Sequence, residues 1–158
     1  MPKIGDVLFY KDFEFEDGSK SDKLFVVVVC SKDACLVLKT TTNNRLYQDV
    51  KDGCNAQKKV FFIPKKKSEF FDLDTYVQFP QLFEITVLEL LRGGLSKAIK
   101  RYDSVLSDQR LQLIKDCLKY FKNDISSQHW DQIFSKGKDS PSNNSLQKLA
   151  SKFNTKKE

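Results

Sequence analysis

From residue 6 to about residue 85 the chain runs as short apolar and β-branched stretches broken by Gly, Asn, Asp and Ser clusters, the pattern of a strand-rich region. The spacing predicts strands over 6–10, 24–31, 35–41, 59–63 and 76–79. The second contains the longest unbroken apolar run, Leu24 to Cys30, with four successive valines. Short strands, short connections and an apolar central pair predict a mainly β fold that closes into a small barrel. Closure would hide the edge of the Val-rich strand, which left open is a template for aggregation.

The period changes from two to about 3.6 after residue 85. Thr86, with Glu89 three residues on, has the capping-box arrangement of a helix start, and Gly93-Gly94 predict its stop through a left-handed C-cap. Ser107 predicts a second N-cap, with Asp108 in the first turn. Leu111, Ile114, Leu118 and Phe121 then form one apolar stripe, and Lys119 and Lys122 fall in the last turn. Residues 1–125 are thus expected as one domain of strands and packed C-terminal helices. Residues 126–158 are expected as a basic, partly flexible extension. In it His129, Trp130, Ile133 and Phe134 suit one more helical turn, with Trp130 either a core residue or a partner anchor. The sequence SKGKDSPSNNS reads as linker, and LQKLASKFNTKKE as a basic amphipathic tail that orders on a partner.

Charge alters this picture in one place. The net charge is +6, but residues 135–158 carry six lysines against Asp139 and Glu158, which leaves the first 134 residues near neutrality at +2. Any phosphate-binding surface on the body is therefore a local patch, not a general basic face. The longest apolar run is far below the ~18 residues of a membrane helix, and no basic segment followed by an apolar one opens the sequence. A cytoplasmic protein without membrane association is expected. Cys30, Cys35, Cys54 and Cys117 contain no C-x-x-C pair and are joined by one histidine, His129, so no metal site is expected. Cys30 and Cys35 flank SKDA and can face each other across a hairpin. In a reducing cytosol they are expected as small buried apolar residues, not a disulfide.

Gly5-Asp6-Val7 leads into a strand, followed by FEFEDGSKSDK, a Val-rich strand, and ACLVLKTTTNN, an apolar strand ending in threonines. This series resembles the opening of the PemK/MazF-like toxins of toxin–antitoxin systems, whose acidic Gly-Ser loop closes on Arg-Pro. The stretches FFDLDTYVQFPQLFEIT and LSDQRLQLIKDCLKYF are similar to the family's late strand and terminal helix, so the likeness spans about residues 3–121. It implies an SH3-like β-barrel with a packed terminal helix, typically a dimer. It also implies metal-independent endoribonuclease cleavage of single-stranded RNA through the RNA 2′-hydroxyl, no cofactor, and an antitoxin partner that blocks the RNA groove. The family's functional arginine falls on Lys23, followed here by Leu24 in place of proline, and its functional Thr or Ser falls on Thr40 or Thr41. Lysine is a compact point charge that cannot reproduce arginine's bidentate fork, so this departure bears directly on catalysis.

Around these catalytic candidates Lys20 and Arg45 are the expected RNA contacts. Arg45 is the best remaining guanidinium for phosphate, and its alternative is an ordinary surface arginine. Lys65, Lys66 and Lys67 read either as a phosphate track with Phe61 and Phe62 as stacking partners, or as solvent-facing charges beside core phenylalanines. The carboxylates Asp12, Glu14, Glu16 and Asp17 offer a base or simply a solvated turn. A function of a different class stands beside cleavage: a non-catalytic module that binds nucleic acid or protein on the same barrel.

Overall fold

The computed structural model describes residues 1–67 and 71–135. Among them, β1 (Asp6–Glu14), β2 (Lys20–Cys30), β3 (Ala34–Thr41), β4 (Gly53–Asn55), β5 (Val60–Ile63), β6 (Thr75–Thr86) and β7 (Ile99–Val105) form one antiparallel sheet in the order β4-β5-β6-β3-β2-β1-β7. All five expected strands are present, and β4 and β7 join them. The outer strands β4 and β7 are not paired with each other, so the sheet is open where closure was expected. The Val-rich strand is protected in another way. β2 lies inside the sheet with β1 on one side and β3 on the other.

Both faces of β2 are covered, which explains its unbroken apolar run. Val26 and Val28 point to one face, where they meet Leu36, Leu38, Phe61, Ile63 and Val77. That face is closed by α2 (Asp108–Leu118), the 3₁₀ segment Lys119–Asp124 and α3 (Ser127–Phe134). Phe25 and Val27 point to the other face, with Leu8, Val37, Ile85, Ile99 and Leu90 of α1 (Val87–Ser96). The apolar stripe expected on the second helix is buried as read, with Phe121 falling in the 3₁₀ segment just beyond α2. Ser107 Oγ accepts from the Arg110 amide at 3.1 Å as its N-cap. Ile133 of α3 enters the same core, and Trp130 packs against Phe134 with ring centroids 4.2 Å apart. The tail from residue 136, including the amphipathic segment, lies outside the described residues.

Two sequence-based expectations need correction. Thr86 does cap α1, accepting from the Glu89 amide at 3.1 Å, but the helix does not stop at Gly93-Gly94. It runs to Ser96, and Lys97 takes the left-handed cap at φ 66°. Gly93 is instead a site of close approach: a β-carbon there would lie 2.4 Å from Ile99 Cδ1 on β7. The cysteines are also paired. Cys30–Cys35 forms a disulfide across the β2–β3 register and Cys54–Cys117 ties β4 to α2. The first pair does face across a hairpin, whereas the second joins residues 63 apart, a separation that no local pattern signals.

The Gly5-Asp6 pair has a structural use. Gly5, at φ 91°, donates to Val27 O and accepts from the Leu106 amide, both at 2.9 Å, so its backbone bridges β2 and the end of β7. Asp6 is fully buried and its Oδ2 accepts from the Lys3 amide at 2.8 Å, which pins the chain entry against the sheet.

Candidate nucleic-acid interface

The face of the sheet that carries Phe25 is only partly covered by α1, and the uncovered part is where the sequence candidates divide. Lys39 is the register partner of Phe25, and Lys23 shares its face two residues earlier on β2. Lys23 is half-buried. Its ammonium is held below the ordinary lysine value, first by burial and then by the like charge of Lys39. The β2–β3 register, continued two residues toward these strand ends, sets Lys23 beside Thr41. Two amines and a hydroxyl therefore share one small area.

Aromatic rings flank that area on both sides. On the β1 side, Phe13 lies 4.9 Å from Phe25, 5.0 Å from Phe15 and 5.3 Å from Phe83, all edge-on. Lys39 Nζ sits 5.5 Å from the Phe15 ring. A bulge in β1, where Asp12 has φ 54°, places Tyr10 and Phe13 on one face although they are three residues apart. The acidic loop then closes tightly. Phe15 and Ser19 are linked by a 2.9 Å backbone bond, and Asp17 accepts from both the amide and the hydroxyl of Ser19. These bonds hold the Asp17 carboxyl below its ordinary value, the side-chain bond contributing most. The loop is thus a clasp that seats Phe15 over Lys39. On the β6 side, Tyr47, Tyr76 and Phe62 stack at 5.2 and 4.8 Å, and Tyr76 is the register partner of Thr41.

The two threonines part company by strand parity. Thr40 is 4% exposed and points to the helix-covered face, where its hydroxyl donates to Leu24 O at 3.0 Å. Thr41 is on the lysine face, and its Oγ1 accepts from the Asn43 amide at 3.1 Å. Arg45 is exposed on the 3₁₀ turn Asn44–Leu46, between Thr41 and the Tyr47 stack. Lys20 is exposed and pairs in register with Glu14.

Lys65, Lys66 and Lys67 form a separate turn beyond β5 that leans toward α2. Lys67 bonds Asp52 at 2.5 Å, and its carbonyl accepts from Arg110 at 2.8 Å. They do not converge with Lys23. Of the phenylalanines beside them, Phe61 is core and Phe62 belongs to the Tyr76 stack. Lys39 was not among the residues expected at the site, although a lysine between the apolar run of β3 and its threonines was a visible signal. Among the described residues no group of three or more His, Cys, Asp and Glu is arranged to hold a metal ion, and no helix is long and apolar enough to cross a membrane.

Lys23 and Lys39 beside the half-buried rings of Phe13, Phe15, Tyr47 and Phe62 have the chemistry of a single-strand platform: ammonium groups for phosphates and ring surface for bases. Protein-family profiles and curated proteins give no match to this chain.

Proposed function

We propose that the protein is a toxin-type endoribonuclease that engages single-stranded RNA across the Lys23–Lys39–Thr41 face. The observation that carries this reading is the pair of lysines set between two aromatic groups, with Lys23 partly desolvated. The Lys39 charge and the Thr41 hydroxyl meet the phosphate. The RNA 2′-hydroxyl attacks phosphorus and loses its proton to water, the bond to the 5′-oxygen breaks, and Lys23 protonates that leaving oxygen. The products are a 2′,3′-cyclic phosphate and a 5′-hydroxyl, and no metal takes part. The resemblance alone extends the proposal to an SH3-like kinship of the sheet, an antitoxin partner, a homodimer and a cytoplasmic setting.

A second reading, RNA binding without cleavage, is favoured by Thr40, whose hydroxyl is committed to the backbone of β2. It is favoured equally by the absence of an arginine fork at position 23. Incubating labelled single-stranded RNA with the protein in EDTA separates the two. Cleavage that disappears in Lys23→Ala supports the nuclease, and retention of intact RNA supports the binding module. Lys39→Ala is expected to weaken binding and to lower the salt slope by about one, and Phe15→Ala to weaken it about tenfold. Failure to bind RNA at low salt overturns both.

A further inference from the structure

A cavity of about 530 Å³ lies between β1, α1 and the start of β7, lined in part by Tyr10, Leu88, Glu89, Arg92 and Ile99. It adjoins the lysine face, because Tyr10 is the register partner of Lys23 and its ring is 5.0 Å from that of Phe13. The Tyr10 hydroxyl donates to Glu89 Oε2. Burial first, then this bond and the Glu89 charge, hold the phenol above its ordinary range, so it remains a donor. Glu89 Oε1 is left without a partner among the described residues, and so is the guanidinium of Arg92 one turn along α1.

An acceptor carboxylate and a donor fork at i and i+3 on one helix discriminate strongly between ligands. A bare phosphate is repelled by Glu89, and a simple cation by Arg92. A flat ring that offers donors and acceptors side by side satisfies both. Guanine does so, with N1–H and N2–H beside O6 and N7, whereas adenine lacks the O6 acceptor and the N1–H donor. The volume is in the range of ordinary small-ligand pockets, and Leu88 and Ile99 supply apolar walls for the ring faces.

We propose that this cavity is a guanine-selective base pocket of the RNA site, with Glu89 accepting from N1–H and N2–H and Arg92 donating to O6 and N7. The inference rests on the RNA reading above and names the sequence preference of that surface. Tyr10 is a positioning residue that aims the carboxylate.

The test uses the full chain and U-rich 2′-O-methyl oligonucleotides, which cannot be cleaved through the 2′-hydroxyl, with one central guanine, hypoxanthine or adenine. Fluorescence anisotropy is expected to show guanine bound a few-fold better than hypoxanthine and about tenfold better than adenine. Glu89→Gln is expected to bring the three within about twofold and Arg92→Ala to narrow the preference for guanine over adenine while guanine stays ahead of hypoxanthine, whereas Lys39→Ala weakens all three equally. Arg92→Ala changes an exposed position and keeps the test valid if Glu89→Gln disturbs α1. Equal affinity for the three bases, or an unchanged preference in Arg92→Ala, overturns the pocket while leaving RNA binding intact. Absence of binding to all three overturns the RNA reading and the pocket with it.

Discussion

Gly93 and Gly94 are adjacent in α1, and replacing each by alanine is expected to change stability with opposite sign. A β-carbon on Gly93 would lie 2.4, 2.5 and 2.9 Å from Cδ1, Cγ1 and Cβ of Ile99, while one on Gly94 meets nothing within 4 Å. A rotamer change can withdraw Cδ1 and Cγ1, but Cβ is fixed by the β7 backbone, so α1 itself must move outward. Overpacking of this kind costs roughly 1–3 kcal/mol, against a gain of up to ~1 kcal/mol from replacing glycine in a helix. Gly93→Ala is therefore expected to lose about 1–2 kcal/mol, which for a domain of this size lowers Tm by roughly 2–8 °C. Gly94→Ala keeps only the favourable term and is expected to gain about 0.5–1 kcal/mol.

Thermal melts followed by circular dichroism measure both, and a cycle with Ile99→Gly, which removes the fixed Cβ as well as Cγ1 and Cδ1, isolates the contact: in the Ile99→Gly background Gly93→Ala should cost little. Because Glu89 lies one turn before Gly93, the outward shift should also blunt the discrimination between guanine and adenine in Gly93→Ala but not in Gly94→Ala. Equal stabilisation by both alanines would refute the packing of α1 on β7, and with it the wall that closes the cavity.

Thr40→Val is expected to cost about 1 kcal/mol through loss of the bond to Leu24 O, with RNA cleavage retained. Thr41→Val should leave the melt nearly unchanged and reduce cleavage, and the reverse pattern in paired melts and gel assays would reassign the hydroxyl. Replacing Cys54 and Cys117 by alanine opens a link between residues 63 apart and is expected to lower stability by roughly 3–4 kcal/mol, read from urea titrations with and without reductant. Lys23, lowered from 10.5 in the folded chain, should lose its proton earlier than a free lysine as pH rises. RNA binding then falls as pH rises through that lowered value, and Lys23→Arg removes this alkaline limb. Folding stability responds with the opposite sign: between the lowered value and 10.5 the unfolded chain holds more protons, so stability rises with pH in that window.

Signals that act within a few residues were legible from the sequence. The capping of α1 by Thr86 and of α2 by Ser107, and the stripe Leu111, Ile114, Leu118, Phe121, depend on neighbours three or four positions away. Gly93-Gly94 shows where this fails. A glycine that ends a helix and one that admits a neighbouring strand are identical in sequence, and only the position of Ile99 separates them. β7 escaped for a related reason: it is an edge strand whose Lys100 and Arg101 stay exposed, so it lacks the apolar alternation of an inner strand. The Cys54–Cys117 link lies beyond any local window.

The candidate site divides along the same line. The loop and the threonine-ended strand directed attention to Lys23, Thr40 and Thr41, but a strand turns successive side chains to opposite faces, so one of the two threonines had to be unavailable. The pairing of Phe25 with Lys39 and of Thr41 with Tyr76 decides which. The same parity brings Lys39 to the lysine face and, through the bulge at Asp12, adds Phe13 and Phe15 from a loop that reads as merely acidic. Where an arginine fork would grip phosphate from one position, two lysines from neighbouring strands now share the area. Burial first, and then the like charge of Lys39, keep Lys23 readier to give up its proton. A guanidinium is still present, on Arg92 at the adjoining cavity, but beside Glu89 its chemistry suits a base edge better than a phosphate. On the proposed reading two tasks are therefore separate on this surface: charge at Lys23 and Lys39, and planar recognition at Glu89 and Arg92.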